Sequence, residues 1–335
     1  MEVVDLFCGA GLASEALRRI GLTPVAAVDR WPLALDSYRC NHRTARRLCA
    51  DLFKASLDSV FKTLRIPQSF NGVIWMSPPC QACSLANSTP INDNTRTSLQ
   101  FIAKVIEARP RAWVFVENVA PIIGPKYLEE WSHIQHAASN SRQYLMSRLW
   151  AQNYLFDAWR FGSPQNRTRM ILPIPPRGME LGSLPMPSDG SGMTIRDIIG
   201  PGSGFKDPDP EGPCLTGTEL SIFKGMPPGG NWHDTEAGRR YVEHENVPES
   251  YCRRCAWDDI PPTVLACKRV RLKYGSFVHP SEDRRFTLGE MRTFQTIPPQ
   301  YRIEGCMSDR QKQIGNAIPV RMVSKIVGHF IKKSR

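Results

Sequence analysis

The sequence lacks the features of a membrane-spanning, secreted or repetitive protein. Its 335 residues contain no apolar run long enough to cross a bilayer. The first five residues, MEVVD, include no basic segment, so we expect no secretory signal. The chain has no internal repeats and no low-complexity tracts. Hydrophobic residues make up 41% of the chain and charged residues 22%, which favours a folded protein with a sizeable core.

The chain also has fewer acidic residues than basic residues. The chain has 43 Lys and Arg residues against 32 Asp and Glu residues, a formal net charge of +11. This excess favours a polyanionic partner, with nucleic acid as the first candidate. The 10 cysteines are irregularly spaced in a chain too long to need disulfide stapling. We therefore expect reduced thiols and a cytoplasmic location, associated with the nucleoid in a prokaryote, or a nuclear location in a eukaryote.

Short apolar segments alternate with helical patterns in the first half of the chain. The predicted strands are Glu2–Phe7, Pro24–Asp29, Gly72–Ser77, Ala112–Glu117 and Arg169–Ile174. The predicted helices are Leu12–Ile20, Thr97–Ala108 and Glu129–Ala151. This alternation predicts a parallel sheet covered on both faces, a Rossmann-like α/β domain. Ligands of such sheets bind beyond the carboxyl ends of the strands, so the residues there are the candidate site residues.

The composition changes after residue 174. Residues 175–262 are rich in Pro, Gly and Asp and contain only short candidate elements, which is typical of an inserted, loop-rich domain. Regular patterning returns near Arg285, and Ile318–Ile331 has helical spacing with Pro319 at a helix start. We expect a catalytic domain over residues 1–174, a smaller domain over 175–284, and a return to the catalytic domain over 285–335.

The turn after the first strand has the composition of a ligand-binding loop. Gly9 and Gly11 let the backbone approach a ligand, and the following helix directs its N–H groups there. A nicotinamide-dinucleotide fingerprint requires a third glycine where Ser14 stands, which counts against that cofactor. Asp29 ends the second strand, where an acid can hold ribose hydroxyls, and Asp51 is placed to hold an adenine amino group. The alternative is an ordinary tight turn with two surface acids.

Cys80 follows two prolines at the end of the third predicted strand, on a stiff turn at the sheet edge. A thiol there is a candidate nucleophile. Three alternatives remain open at this point. Cys80 is a buried structural residue, or forms a redox pair with Cys83, or joins Cys83, Cys252 and Cys255 as zinc ligands.

Two further strand boundaries carry charged side chains. Glu117 ends the fourth predicted strand, where partial desolvation suits a carboxyl group that carries a proton. Its alternative roles are helix capping or pairing within the core. Arg167 and Arg169 lie two residues apart at the entrance of the next strand and are expected to point the same way, toward a phosphate or the acceptor face of a base. The alternative is a solvated basic edge.

Six motifs in this order resemble those of the cytosine-5 DNA methyltransferase family. They are Phe7–Gly11 (FCGAG), Pro79–Gln81 (PCQ), Glu117–Val119 (ENV), Gln165–Arg169 (QNRTR), Arg285–Gln295 (RFTLGEMRTFQ) and Gln313–Pro319 (QIGNAIP). Each motif alone is modest, but all six in the family's order are highly specific. The resemblance covers roughly residues 1–174 and 280–331. It implies a methyltransferase core that uses S-adenosylmethionine, with a target-recognition domain inserted at 175–284.

The resemblance implies a role for each motif. The implied cofactor-binding residues are Phe7, Gly9, Gly11, Leu12, Asp29, Asp51, Pro79 and Asn316. Cys80 attacks carbon 6 of cytosine, Glu117 binds the base edge and protonates nitrogen 3, and Arg167, helped by Arg169, holds the base and the developing negative charge. Carbon 5 then takes the methyl group. The target base must leave the stack, and residues 84–97 are expected to close over it.

The expected DNA contacts extend beyond the reacting base. Gln81 and Ser84 follow the nucleophile, and Thr263 lies in a Pro-Thr turn that resembles one in the family's recognition domain. A strip without acidic residues then follows, whose cations are expected to lie on phosphates or in a groove: Lys268, Arg269, Arg271 and Lys273. The alternative for this strip is a solvated strand face. No metal is expected.

Three other functions are alternatives to DNA methylation. The RNA-methylating relatives of the same fold carry a Cys-Phe-Thr signature and spaced tyrosines that we do not find here. A catalytically silent DNA-binding member is disfavoured by the intact Cys80, Glu117 and Arg167, and a nicotinamide oxidoreductase by Ser14. Because the first motif begins within ten residues of Met1, the chain resembles the compact stand-alone enzymes of prokaryotic type. We expect a monomer acting on double-stranded DNA, with a separately acting cognate restriction endonuclease as a candidate partner.

Overall fold

The structure, a computed structural model, describes residues 1–79, 93–123, 127–138, 153–187, 192–242, 252–266 and 278–333. The chain divides into two compact units. The first comprises Met1–Phe161, Thr168–Ser188 and Ile318–Arg335. The second comprises Gly162–Arg167 and Asp189–Ala317. Residues 285–317 thus group with the inserted segment, whereas the sequence pattern had placed them with the catalytic domain.

A seven-stranded sheet forms the centre of the first unit. Its strands are β1 (Glu2–Leu6), β2 (Thr23–Asp29), β3 (Arg46–Cys49), β4 (Val73–Met76), β5 (Trp113–Asn118), β6 (Leu155–Asp157) and β7 (Thr168–Ile174). The strand order is β3-β2-β1-β4-β5-β7-β6. Strands β1 to β5 pair in parallel, as predicted. All residues of β4 are buried, as expected for a central strand covered on both faces.

The prediction of a fully parallel sheet was wrong at one edge. Strand β7 runs antiparallel to both β5 and β6. The connection from β6 to β7 spans only residues 158–167, including a 3-10 turn at Ala158–Phe161. That length is too short for a parallel crossover, which needs a dozen or more residues. The amino end of β7 therefore lies beside the carboxyl end of β5, at the edge where ligands of such sheets bind.

The described helices are divided between the two units. They are α1 (Leu12–Arg19), α2 (Pro32–Asn41), α3 (Leu57–Thr63), α4 (Asp93–Ala108), α5 (Leu128–Ala138), α6 (Ile195–Ile199), α7 (Gly217–Phe223), α8 (Glu236–Val242), α9 (Leu288–Phe294), α10 (Met307–Asn316) and α11 (Val320–Lys333). Helices α1 to α5 and α11 belong to the first unit with the sheet, and α6 to α10 belong to the second. The predicted helices that became α1, α4 and α11 are confirmed. The predicted helix Glu129–Ala151 is present as α5 to Ala138, and residues 139–151 lie outside the described residues. Neither β3 and β6 nor α2 and α3 were predicted.

The amphipathic pattern of α1 shows why it packs where it does. Its apolar residues are buried, including Ala16 and Leu17. Its last turn carries Arg18 and Arg19, which suits the negative end of the helix dipole, and both pair with Glu15. Helix α11 packs against α1, and the Ser324 hydroxyl donates to the Ala16 carbonyl at 2.8 Å. The end of the chain thereby closes onto the element that follows the glycine turn.

The second unit contains short helices joined by loops, as predicted for the insert. Three of them begin at a threonine that accepts a bond from the backbone of the third helical residue, while the acid at that position binds back: Thr194, Thr216 and Thr287. A small core forms around Phe223, Met226 and Cys252. Among the described residues, no helix is long and apolar enough to cross a membrane.

Cys252 belongs to this small core, and Cys255 lies three residues later in the chain. Both are buried, and burial raises the pKa of Cys255 to about 12. A thiol with such a pKa stays protonated at neutral pH and is a weak nucleophile. Within the described part of the chain, no group of three or more His, Cys, Asp or Glu residues is arranged to hold a metal ion. Cys80 and Cys83 lie outside the described residues.

Candidate active site

The turn between β1 and α1 adopts the left-handed conformation that its glycines permit. The φ angles of Gly9 and Gly11 are 51° and 87°, and Phe7 shares this region at 61°. A Cβ on Gly9 would meet nothing within 4 Å, so glycine is required there by φ rather than by space. Leu12 begins α1 directly afterwards. The helix start and the open side of Gly9 give the turn the form of a ligand-binding loop.

Asp29, at the end of β2, binds this turn directly. Its Oδ2 accepts a hydrogen bond from the backbone N–H of Gly9 at 2.7 Å, and its Oδ1 accepts one from Trp31 at 2.8 Å. A carboxylate oxygen accepts two such bonds, so each oxygen keeps capacity for one more donor. Asp29 is half-buried. It therefore both fixes the glycine turn and retains acceptor capacity for ribose hydroxyls.

Three aromatic rings meet beside the same turn. The ring of Phe7 lies 5.3 Å from Phe53 and 5.4 Å from Phe101, and Phe53 lies 5.9 Å from Phe101. The carboxylate of Asp51 accepts a hydrogen bond from the Phe53 backbone at 3.1 Å. Phe7, Phe53 and Asp51 are half-buried. An apolar surface next to carboxylate acceptors suits an adenosine group, whose amino and hydroxyl groups donate.

A buried polar chain lies beneath the turn. The Tyr38 hydroxyl is 2.9 Å from the Ser14 hydroxyl, which in turn donates to Asp5 Oδ2 at 2.6 Å. All three side chains are fully buried. Burial raises the pKa of Asp5 to about 7. His42, also buried, contacts the Gly11 carbonyl at 3.1 Å.

The carboxyl ends of β4 and β5 are tied together by Asn118. Its Nδ2 donates to the Pro78 carbonyl at 3.2 Å, and its Oδ1 accepts from the Val119 N–H at 2.9 Å. Pro79 is half-buried at this edge. The next residue, Cys80, lies outside the described residues, as do Gln81 and Ser84.

Glu117 forms an ion pair with Arg169. The Arg169 Nε lies 3.3 Å from the Glu117 Oε1, and the two side chains are 16% and 12% exposed. Glu117 is paired in register with Ile171, so Arg169 is its diagonal neighbour on the same face of the sheet. The antiparallel direction of β7 creates this contact, because it brings the amino end of that strand to the carboxyl end of β5.

Arg167 contacts a different set of groups, so the expectation that the two arginines point the same way was wrong. Its guanidinium donates to the backbone carbonyls of Val264 at 3.1 Å, Gly315 at 3.1 Å and Ala317 at 2.9 Å. Strand β7 begins one residue later, at Thr168. Arg167 is buried and, within the second unit, joins the 264–266 segment to the end of α10.

Gly315, in the last motif, lies where the end of α10 contacts the 264–266 segment. A Cβ on Gly315 would lie 2.3 Å from the backbone nitrogen of Ala266, so only glycine permits this approach. The Gln295 side chain donates to the Ile314 carbonyl at 2.9 Å and to the Ala317 carbonyl at 3.2 Å. Carbonyls that α10 leaves without helical partners are thus satisfied by side chains.

The remaining predicted site residues lie in the second unit or outside the described residues. Asn316 ends α10. The Thr263 hydroxyl donates to the Asn166 carbonyl, and Thr263 is half-buried. Outside the described residues lie Lys268, Arg269, Arg271 and Lys273. The structure thus assembles Phe7, Gly9, Gly11, Leu12, Asp29 and Asp51 at one end of the sheet, and it pairs Glu117 with Arg169.

A sequence model of the family described as C-5 cytosine-specific DNA methylase matches residues 1–332. The chain belongs to this family. It is similar to the Type II methyltransferase M.Eco47II of Escherichia coli, with 27% identity over 99% of this chain and 79% of the relative. It also resembles the Type II methylase M.HgiDII of Herpetosiphon aurantiacus, with 23% identity over 98% of this chain and 96% of the relative.

Solved structures share the fold at lower identity. A structure of Spodoptera frugiperda DNMT2 superposes with a TM-score of 0.63 at 14% identity, covering 98% of this chain and 99% of that one. The protein is a cytosine-5 DNA methyltransferase, and its methyl donor is S-adenosylmethionine. S-adenosylmethionine supplies an electrophilic methyl group. The carboxylates of Asp29 and Asp51 and the adjoining aromatic surface of Phe7 fit its adenosine part.

Sequence reasoning missed several residues of this site. Tyr38 lies on α2 and His42 caps its carboxyl end, and this helix is not among the predicted ones. Asn118 stands out in the sequence only as part of a motif. The spacing of residues could have predicted α2, because Leu35, Tyr38 and His42 are three and four residues apart and would share one helix face.

Proposed function

We propose that this protein methylates carbon 5 of a flipped cytosine in double-stranded DNA through a covalent adduct between Cys80 and carbon 6. The observation that carries the proposal is the Glu117–Arg169 pair at the carboxyl end of β5. Glu117 lies on β5, the strand next to β4, whose end leads into Pro79 and Cys80, and Arg169 lies on β7 on the other side of β5. A proton donor, a fixed positive charge and a thiol are the groups that addition to a pyrimidine requires.

The glycine turn is the proposed cofactor site. Phe7, Gly9, Gly11 and Leu12 form it, with Asp29 on the ribose and Asp51 on the adenine. Asp29 supports this assignment because it is locked to the turn by Gly9 and still has acceptor capacity. Pro79 and Asn316 are proposed as cofactor-binding residues from their motifs alone.

The proposed reaction begins when the Cys80 thiolate adds to carbon 6 and forms a carbon–sulfur bond. The electron pair of the 5,6 double bond moves toward carbon 5, while Glu117 delivers a proton to nitrogen 3. Carbon 5 then has enamine character and takes the methyl group, whose bond to the sulfonium sulfur of S-adenosylmethionine breaks and leaves a neutral thioether. Loss of the proton from carbon 5 to water, cleavage of the carbon–sulfur bond and return of the nitrogen-3 proton to Glu117 restore the ring and release the Cys80 thiolate. Each step uses a group whose chemistry matches its charge change.

Arg169 is proposed to keep Glu117 oriented and to stabilise negative charge on the base. Its guanidinium already touches Glu117, so a base bound by that carboxyl group lies within its reach. For Arg167 we propose an indirect role. It holds the carbonyls on both sides of Asn316, so it positions that residue rather than touching the base.

The recognition contacts are proposed from the sequence pattern. The target cytosine leaves the stack, since a thiol cannot reach carbon 6 inside a duplex. Gln81 and Ser84 are proposed to contact DNA near the extruded base. Thr263 is proposed to contact the DNA backbone, and the cations between 268 and 273 are proposed to lie on phosphates. We propose a monomeric enzyme, with a separate endonuclease of matching specificity as a partner.

The test is methyl transfer from labelled S-adenosylmethionine to unmethylated duplex DNA, with transfer RNA assayed in parallel, followed by mapping of 5-methylcytosine at base resolution. We expect label in DNA at a recurring short sequence. Label confined to transfer RNA would instead support the RNA-methylating alternative. Cofactor binding with no label in either substrate would indicate a catalytically silent member.

The covalent step has its own test. DNA with 5-fluorocytosine at the target should accumulate a denaturation-resistant adduct, because fluorine cannot leave as a proton does. Cys80→Ser should bind S-adenosylmethionine normally but form no adduct and almost no product. Cys40→Ser is the matched control on a half-buried thiol of α2 and should retain both.

A further inference from the structure

Two side chains, one on α2 and one at its carboxyl end, contact the glycine turn and the start of α1. Tyr38 lies in the last turn of α2, and His42 follows four residues later as the residue that ends the helix. Their rings are 4.7 Å apart. Tyr38 is fully buried and His42 is 5% exposed. The Glu117 chemistry uses neither residue, and neither has been assigned to the cofactor.

His42 binds the carbonyl of the last residue in the turn. Its Nε2 lies 3.1 Å from the Gly11 oxygen. A carbonyl can only accept, so Nε2 carries the hydrogen and donates it. Burial lowers the pKa of His42, so the neutral ring is the form that makes this contact. The same carbonyl accepts the first helical bond of α1, from Glu15 at 2.9 Å, and His42 therefore fixes the peptide at which the turn becomes a helix.

Tyr38 acts one turn further along α1. Ser14 donates its hydroxyl hydrogen to Asp5, so the Tyr38 hydroxyl must donate to Ser14. The bonds run from Tyr38 to Ser14 at 2.9 Å and from Ser14 to Asp5 at 2.6 Å. They link α2, the first turn of α1 and β1 inside the protein. Ser14 occupies the position at which a dinucleotide fingerprint has glycine, and here its hydroxyl is the central member of this chain.

We propose that Tyr38 and His42 are positioning residues that hold the glycine turn and the amino end of α1 ready for S-adenosylmethionine. This assignment rests on the proposed function, because it takes that turn as the cofactor site. Gly9 and Gly11 have left-handed φ angles and high conformational freedom, so the turn has other conformations available. A loop held in its binding conformation avoids the ordering cost at the moment of binding. The reacting groups lie elsewhere, so we expect substitutions of Tyr38 or His42 to weaken cofactor binding and to leave the rate of the chemical step unchanged.

The test compares three variants by calorimetric titration with S-adenosylmethionine and by steady-state kinetics. His42→Leu should raise the cofactor Kd and KM about fivefold, the equivalent of one hydrogen bond. His42→Gln keeps a donor near the Nε2 position and should stay within about twofold of wild type. Tyr38→Phe removes one hydroxyl with little change in volume and should raise Kd about threefold. At saturating cofactor, kcat should be unchanged in all three.

Ile134→Val is the matched control for lost stability. Ile134 is fully buried on α5, and the change removes one methylene without removing a polar group. It should lower the melting temperature about as much as His42→Leu does and leave Kd unchanged. A normal Kd in His42→Leu, or a Kd that His42→Gln does not restore, overturns the assignment while the proposed function stands. If the wild-type protein binds no S-adenosylmethionine, the proposed function fails and the assignment fails with it.

Discussion

Arg169 lies diagonally across an antiparallel strand pair from Glu117, with 3.3 Å between Nε and Oε1. We expect Glu117→Gln to lower kcat about 100-fold or more, because the amide cannot deliver a proton to nitrogen 3. Arg169→Ala should lower kcat by a similar factor, because it removes a fixed positive charge from the site. Single-turnover methylation of duplex DNA measures both effects. Arg160→Ala, which breaks the exposed pair with Asp157, is the control and should leave kcat unchanged.

Asp29 accepts a hydrogen bond from the Gly9 N–H and is proposed to bind the ribose. Its substitutions should therefore weaken cofactor binding to different degrees. Asp29→Ala should raise the S-adenosylmethionine Kd about 10-fold or more, because a charge-assisted acceptor is lost and the Gly9 N–H loses its partner. Asp29→Asn keeps one acceptor and should fall between the alanine variant and wild type. The measurement is calorimetric titration. Asp36→Ala, at an exposed pair on α2, should bind normally, and a normal Kd for Asp29→Ala would remove Asp29 from the cofactor site.

Arg167 should contribute mainly to the stability of the second unit. Arg167→Ala removes a buried donor from three carbonyls and should cost about 3 kcal/mol of unfolding free energy. Arg167→Lys places its donors on a single nitrogen and should restore only part of that loss. Chemical denaturation measures the change, and the exposed Arg302→Ala is the control. A stable Arg167→Ala protein without activity would contradict the indirect role and point to direct contact with the base.

Asp5 predicts how stability depends on pH. Its pKa rises from 3.8 to about 7 on folding because the carboxyl group is buried. Below both values each state is protonated and burial carries no ionisation penalty. As pH rises from about 4 to about 7, the unfolded chain releases the proton and the folded protein retains it. Stability from this group is therefore lost over that interval, by roughly 4 kcal/mol.

Asp5→Asn isolates this effect. An amide can still accept from Ser14 and does not ionise, so the variant should gain stability relative to wild type as pH rises from 4 to 7. Urea denaturation at several pH values measures the difference between the two proteins. A difference that does not change with pH would show that Asp5 has an ordinary pKa in the folded protein.

Arg271 predicts a salt dependence. If it lies on a DNA phosphate, Arg271→Ala should weaken binding to all duplexes about equally and reduce the slope of log affinity against log salt by about one. Fluorescence anisotropy at several salt concentrations measures this slope. An unchanged slope would exclude the phosphate contact.

The sequence by itself determined the local features of this protein. The spacing of apolar residues predicted β1, β2, β4, β5 and the helix α1. The two glycines of the turn indicated a close approach of the backbone to a ligand, and the structure gives both of them left-handed φ angles. The order of the motifs identified the family, which the match of the family model to residues 1–332 confirms.

Only the tertiary structure decided which of these residues meet. An apolar run such as that of β7 has the same pattern in either direction, because alternation along a strand carries no sign of its partner's orientation. The antiparallel pairing of β7 with β5 directs Arg169 to Glu117, while Arg167, two residues earlier, binds carbonyls near α10. The contact of His42 with Gly11 spans 31 positions along the chain and depends on how α2 packs beneath the turn. Such pairings are set by long-range packing, which local sequence does not encode.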